Sequence, residues 1–239
     1  MIHAERRGPV ALITIDRAER RNAVDTEHLD AIRAQMDGLG DAHVLVLTGA
    51  GGHFCAGADL GGVEDAEFVA ALRGVLDGLR ALPIVVIAAV DGAALGAGTQ
   101  LAVACDLRVA TPDSRFGIPA AKLGLMVDHW TVGRLAAMAG HGPARAMLLA
   151  AEVLDGARAA DLGLVQRVGD LHAALAWAEE IATLAPLTIA GHKLALERLE
   201  LTPDDDDVRA ALAHAWRSED LAEGMAAFRE RRPPSFRGR

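Results

Sequence analysis

A chain of 239 residues that is 51% apolar has enough material for one substantial core. Its formal charge of −9 argues against nucleic acid as a general partner. No window approaches the roughly 18 uninterrupted apolar residues of a membrane span, so no membrane insertion is expected.

Residues 10–16 (VALITID) alternate in part and predict a strand, followed by a polar turn at Asn22-Ala23. A helix should start near Thr26, where Leu29, Ile32, Met36 and Leu39 fall at helical spacing. Residues 44–48 (VLVLT) read as a short buried strand running into a glycine loop at 49–52. Residues 63–82 are mostly helical, Pro83 breaks the helix, and 84–90 form another buried strand. A second glycine-rich turn covers 92–98, with a short helix through Gln100 and Leu101. A strand at 107–110 and a turn at 111–113 follow. Asp128 should begin a helix to about Ala139, and Gly142-Pro143 the next, with proline at its first position. Asp155 caps a short helix, and 164–168 form a last strand. Leu171, Leu175, Ala178, Ile181 and Ala182 mark an amphipathic helix, and 194–201 continue helically after Pro186. Residues 202–207 form an acidic hinge or a solvated loop before a final helix over 208–231, closed by Pro233-Pro234. Strands and helices interleave to about residue 170 and helices alone follow, which predicts an α/β core with a helical C-terminal region.

The opening Met-Ile-His-Ala-Glu lacks the zones of a signal peptide, so a cytoplasmic location is expected. Cys55 and Cys105 make no disulfide framework or zinc spacing and read as small buried residues. Arg17, Arg20 and Arg21 cluster near one end of the chain, and Arg229, Arg231, Arg232, Arg237 and Arg239 near the other. These clusters are either solvated charge or local patches for an anionic small ligand.

Two glycine-rich loops carry the candidate chemistry. His53-Phe54-Cys55-Ala56-Gly57-Ala58-Asp59-Leu60 and Asp91-Gly92-Ala93-Ala94-Leu95-Gly96-Ala97-Gly98 each follow a buried strand. Small residues let backbone N–H groups approach a ligand oxygen, and the helix start after the second loop favours negative charge there. A dinucleotide fingerprint at Gly49-Ala50-Gly51 fails, because its third glycine would fall on Phe54.

The stretch Arg20-Arg21-Asn22-Ala23-Val24, the segment from Phe54 to Leu60, the loop from Asp91 to Gly98, Cys105-Asp106, Phe116-Gly117-Ile118-Pro119 and Gly124-Leu125 occur in one order. As an ordered set they resemble the crotonase superfamily, the enoyl-CoA hydratases and isomerases, over nearly the whole chain. The resemblance implies an α/β spiral of ββα repeats over 1–195 and a C-terminal helical trimerisation region over 196–239, assembling as a homotrimer or a dimer of trimers. It implies an acyl-CoA or enoyl-CoA thioester as ligand or substrate, and no other cofactor or metal. The thioester oxygen would be held by the backbone N–H groups of Ala56 and Ala97. Arg20, Arg21, Ala23, Ala58, Asp59, Leu60 and Gly96 would join them around coenzyme A. The two glutamates of a hydratase fall on Gln100 and Ala120, which can neither take up nor supply a proton. Binding without ordinary hydratase activity is therefore expected. The alternative is an isomerase or weak hydratase using Asp128, where some relatives place an acid/base aspartate; Asp128 also suits a helix N-cap. Trp130 reads as core or as a tunnel wall, and His129 as a satisfied histidine. A metal at His53 lacks spaced partners, and a Cys55 nucleophile would need its thiol to face the thioester.

Overall fold

The computed structural model describes residues 1–59, 61, 66–199, 210, 213 and 216–235. A six-stranded sheet in the order β1-β2-β3-β4-β6-β9 forms its backbone. The strands are β1 (Ile2–Arg7), β2 (Val10–Ile15), β3 (Val44–Gly49), β4 (Val85–Val90), β6 (Leu107–Ala110) and β9 (Arg167–Val168). β1 pairs antiparallel with β2, and every later pairing in this sheet is parallel.

The central strands read as continuous apolar runs because both faces are covered. Val10, Leu12, Val44, Val46, Ile87 and Val109 face α7 (Leu171–Ala182), whose buried residues are Ala174, Leu175, Ala178 and Ile181. Their alternates Ala11, Ile13, Leu45, Leu47, Val86 and Ala88 face the larger core. There α1 (Thr26–Asp37) contributes Leu29, Ile32 and Met36, and α2 (Ala66–Ala81) contributes Phe68, Leu72, Val75, Leu76 and Leu79. Asp25 caps α1 by accepting the His28 N–H at 3.0 Å.

A second, three-stranded sheet orders β5 (Ala93–Leu95), β7 (Arg115–Gly117) and β8 (Val153–Asp155). The expected turn at 92–98 is thus a strand that leads into α3 (Ala97–Ala104), with Gly96 between them. Five further α-helices are α4 (His129–Ala139), α5 (His141–Leu149), α6 (Gly156–Asp161), α8 (Pro186–Leu199) and α9 (Glu219–Glu230), with short 3-10 helices at Ala18–Arg20 and Pro119–Leu123.

Three expectations change. α5 starts at His141, so Pro143 is its third residue; its missing N–H costs nothing anywhere in the first turn. The strand at 164–168 shrinks to Arg167–Val168, because the Leu164 and Val165 side chains bury into the helical side of the core. The helix over 208–231 is interrupted, since Trp216 and Arg217 form a turn and Ser218 caps α9 by accepting the Leu221 N–H at 3.1 Å. The acidic stretch 202–207 lies outside the described residues. α8 spans the expected boundary at 195, and Lys193 and Glu197, one turn apart, pair with Asp106 and with Arg80 and Arg134 of the core. Among the described residues no single helix is long and apolar enough to cross a membrane.

Candidate acyl-thioester site

The two glycine loops are stitched side by side. The Phe54 N–H donates to the Asp91 carbonyl at 2.7 Å, Cys55 N–H to Ala93 at 2.8 Å, and Leu95 N–H back to Cys55 at 3.0 Å. The contact leaves no room for side chains: a Cβ on Gly98 would lie 2.0 Å from the Cys55 carbonyl oxygen. Gly57 takes φ +119°, open to glycine, and a Cβ there would meet the Leu95 oxygen at 3.0 Å. His53 braces the second loop, its Nδ1 accepting from the Ala93 N–H at 3.3 Å.

Asn22 fixes the first loop from behind. It is fully buried at φ 58°, a conformation asparagine tolerates. Its Oδ1 accepts the Arg17 N–H at 2.8 Å, and its Nδ2 donates to the Ala50 and His53 carbonyls at 2.8 and 2.5 Å.

A cavity of about 1090 Å3 opens where the loops meet. Arg20, Ala56, Gly57, Ala58 and Asp59 line one part of it; Gly96, Ala97, Gln100 and Ala120 line another. Apolar side chains including Phe68, Leu72, Leu76, Leu125 and Val127 make most of the remaining wall, with Asp128 and Arg73 as a charged pair within it.

Ala97 is the first residue of α3, so its amide has no intrahelical acceptor, and the helix dipole adds positive potential there. The Ala56 N–H is not free, because it is donated to the Arg21 carbonyl at 2.9 Å. The open donor of the first loop is Ala58. Val24 donates to the Gly57 carbonyl at 2.9 Å and accepts the Asp59 N–H at 2.7 Å, so the Ala58 amide between them turns to the other side. The sequence marks the loop but not the amide, which is decided by partners some 35 residues earlier in the chain.

The other expected residues divide. Asp59 lines the cavity and is held by Arg17 Nη2 at 2.8 Å, a role for Arg17 that its place in a basic cluster did not specify. Arg21, which is exposed, and Ala23 do not line the cavity; their carbonyls accept from Ala56 N–H and Arg17 Nη1. Leu60 lies outside the described residues. Gln100 is 8% exposed and donates Nε2–H to Thr131 Oγ1 at 2.8 Å. Asp128 caps α4, accepting the Thr131 N–H at 2.9 Å, while its second oxygen accepts from Arg73 at 2.6 Å. Trp130 packs in the core with Arg80 stacked 4.7 Å above it. Trp216, Arg217 and Phe228 also line the cavity, a contribution of the C-terminal region that its helical pattern does not reveal.

Cys55 is no nucleophile. Its thiol is fully buried against the Gly57 carbonyl, and burial pushes its pKa up to about 12, as it does for Cys105. Ellman's reagent should therefore label neither cysteine of the folded protein at pH 8, and both in denaturant. Rapid labelling of one thiol in the native protein would contradict the burial.

Stitched glycine-rich loops at the mouth of an apolar cavity, set beside a mostly parallel sheet, define an α/β class with one pocket where the two loops meet. Residues 5–239 match the enoyl-CoA hydratase/isomerase family model, and the chain belongs to that family. It is 43% identical to the probable enoyl-CoA hydratase echA6 of Mycobacterium tuberculosis over 239 residues, 96% of each chain. Among solved structures it is similar to an enoyl-CoA hydratase/carnithine racemase from Magnetospirillum magneticum. That match has 31% identity and a TM-score of 0.78, covering 100% of this chain and 96% of the other. An enoyl-CoA hydratase from Mycobacterium avium subsp. paratuberculosis is similar at 27% identity and a TM-score of 0.87, covering 99% and 98%. The crotonase fold expected from the ordered motifs is the fold observed.

Proposed function

We propose that this chain binds fatty acyl-CoA thioesters and does not carry out ordinary enoyl-CoA hydration. The observation that carries this reading is the pairing of two open amides, Ala58 and Ala97, with a wall that has no ionisable group at Gln100 or Ala120. The amides suit a thioester carbonyl oxygen, and the apolar wall suits an alkyl chain. Adding water needs a base for the water and an acid for the carbon, each worth about 10²- to 10⁴-fold. An amide and a methyl group supply neither. Arg20, exposed at the cavity, suits the phosphates of coenzyme A.

The second reading makes Asp128 an acid/base for isomerisation, and its place on the cavity wall favours it. Against it, both carboxylate oxygens already accept hydrogen bonds.

Exposed Leu187, Leu194 and Leu196 on α8, the helix that spans the boundary at 195, form an apolar surface that further copies of the chain would cover in the trimer. The division into a 1–195 core and a 196–239 trimerisation region belongs to this proposal, as does the cytoplasmic location.

The test pairs calorimetric titration of saturated acyl-CoA with turnover of trans-2-enoyl-CoA and dienoyl-CoA. Saturable binding without turnover is expected. Ala97→Pro removes one donor at a helix position that proline tolerates, and should weaken binding at least about tenfold. An unchanged Kd in the folded variant sinks the assignment of that loop. Turnover that collapses in Asp128→Asn, which can still cap α4, would establish the second reading.

A further inference from the structure

The charged pair in the cavity wall is one end of a longer row. Arg73 Nη1 donates to Asp128 Oδ2 at 2.6 Å, and Arg73 Nε donates to Asp77 Oδ2 at 2.8 Å. The other oxygen of Asp77 accepts from Arg80 Nη1 at 3.0 Å. Arg80 Nε donates to Glu197 Oε2 at 2.7 Å, and Glu197 Oε1 lies 3.3 Å from Arg134 Nη2. Three carboxylates thus alternate with three guanidinium groups from the cavity to α8, and the row carries no net charge. Of the six residues, only Arg73 and Asp128 line the cavity.

The balance matters because the far half of the row is poorly screened. The side chains of Arg80, Glu197 and Arg134 are 12, 14 and 4% exposed. At the cavity end the neighbours are apolar, with Leu72 and Leu76 on α2 and Leu125 and Val127 just before Asp128. An uncharged acyl chain covers the pair without changing the balance. A chain that bears a carboxylate brings a fourth negative charge against three positive ones. A donor for it is at hand, since Arg73 Nη2 makes no hydrogen bond among the described residues. The missing quantity is positive charge, because Arg73 already serves two carboxylates. An anion left uncompensated against an apolar wall is strongly disfavoured.

We infer that the row makes the cavity selective for thioesters whose acyl chain carries no charge. Asp77 and Glu197, both outside the cavity, are positioning residues that set this selectivity through Arg73 and Arg80. The inference rests on the acyl-thioester reading above and deepens it by naming what the acyl chain must lack. Loss of either carboxylate leaves the row with one positive charge in excess, which is the charge an acyl carboxylate needs.

The experiment is calorimetric titration with saturated acyl-CoA and ω-carboxyacyl-CoA of matched lengths, against wild type, Asp77→Asn, Asp77→Glu and Glu197→Gln. Wild type should bind the saturated thioester at least about tenfold more tightly than its carboxylated counterpart. In Asp77→Asn and Glu197→Gln that ratio should fall about fivefold, through a gain in affinity for the carboxylated thioester. Asp77→Glu keeps the charge and should keep the ratio. A gain of binding separates this account from a merely structural role, which could only lose it. The saturated thioester reports in each variant whether the cavity still forms, and Asp77, half exposed on α2, decides the matter if Glu197→Gln does not fold. Equal affinities in wild type, a ratio unchanged in Asp77→Asn, or an equal fall in Asp77→Glu would each overturn the inference. Failure of every thioester to bind wild type would overturn the acyl-thioester reading itself, and this inference with it.

Discussion

Exchanging Gln100 and Ala120 together for glutamate should raise the hydration of trans-2-enoyl-CoA by at least about 10²-fold over wild type, since each acid or base contributes 10² to 10⁴. Both positions line the cavity that Ala97 opens into, so a carboxyl on each would face the same bound acyl group. Glutamate matches glutamine in shape, and the Thr131 hydroxyl that now accepts from Gln100 can rotate to donate to a carboxylate. Ala120 sits half-buried in the short helix Pro119–Leu123 at the cavity edge, and the cavity has space for the four heavy atoms that glutamate adds. Apolar surroundings there would favour the protonated form, which is what a proton donor needs. Each single variant should gain far less, because water addition needs both proton transfers and the two groups act as a unit. Initial rates followed by loss of enoyl-thioester absorbance give the answer. A folded double variant that binds acyl-CoA but stays at the wild-type rate would show that these two positions do not limit hydration.

Replacing Arg108 by methionine should cost about 3 kcal/mol or more of stability. Arg108 is the largest fully buried side chain. Among the described residues no carboxylate accepts from its guanidinium. It donates to the carbonyls of Leu164 at 2.5 Å, Ala102 at 3.1 Å, Cys105 at 2.9 Å and Asp106 at 3.1 Å, and to Gln166 Oε1 at 3.0 Å. Burial pushes its pKa down to about 10, so it remains charged at neutral pH. Three of these acceptors lie at or just beyond the C-terminal end of α3, where helix carbonyls lack partners and a cation is favoured. Methionine fills the volume but takes the guanidinium donor from the Ala102, Cys105 and Asp106 carbonyls, while Gln166 Oε1 keeps the backbone N–H of residue 108 at 2.9 Å and the Leu164 carbonyl keeps Gln166 Nε2 at 3.3 Å. For a chain of this size the melting temperature should fall by roughly 6 to 12 °C. Lysine, with a point charge and no fork, should recover only part of the loss. A shift of 2 °C or less for the methionine variant would mean that water replaces the guanidinium without penalty, and would refute the account.

Much of this fold is legible in the sequence because its signals are local. Strands buried on both faces announce themselves as apolar runs, and Asp25, Asp128 and Asp155 announce helix starts by chemistry that acts over three residues. What stays hidden depends on contacts across the chain. β1 carries charged and polar residues because it is an exposed edge strand, with only Ile2 even half-buried. β5, β7 and β8 have three residues each, too few for any periodicity to show. The choice between Ala56 and Ala58 as donor turns on Arg21 and Val24, two distant partners that no motif spacing encodes. Thr131 is likewise invisible until α4 packs against α3 and brings its hydroxyl to Gln100. The composition of the loops was readable; the direction of each amide was not.

The indole of Trp216 donates to the Met126 carbonyl at 2.9 Å and stands in the cavity wall. The chain contains three tryptophans and no tyrosine. The other two lie under guanidinium groups, Trp130 beneath Arg80 and Trp177 beneath Arg167 at 4.1 Å. The protein therefore carries its own optical probe of occupancy. A ligand entering the cavity would change the polarity around one emitter out of three, so titrations can be followed by intrinsic fluorescence without a label.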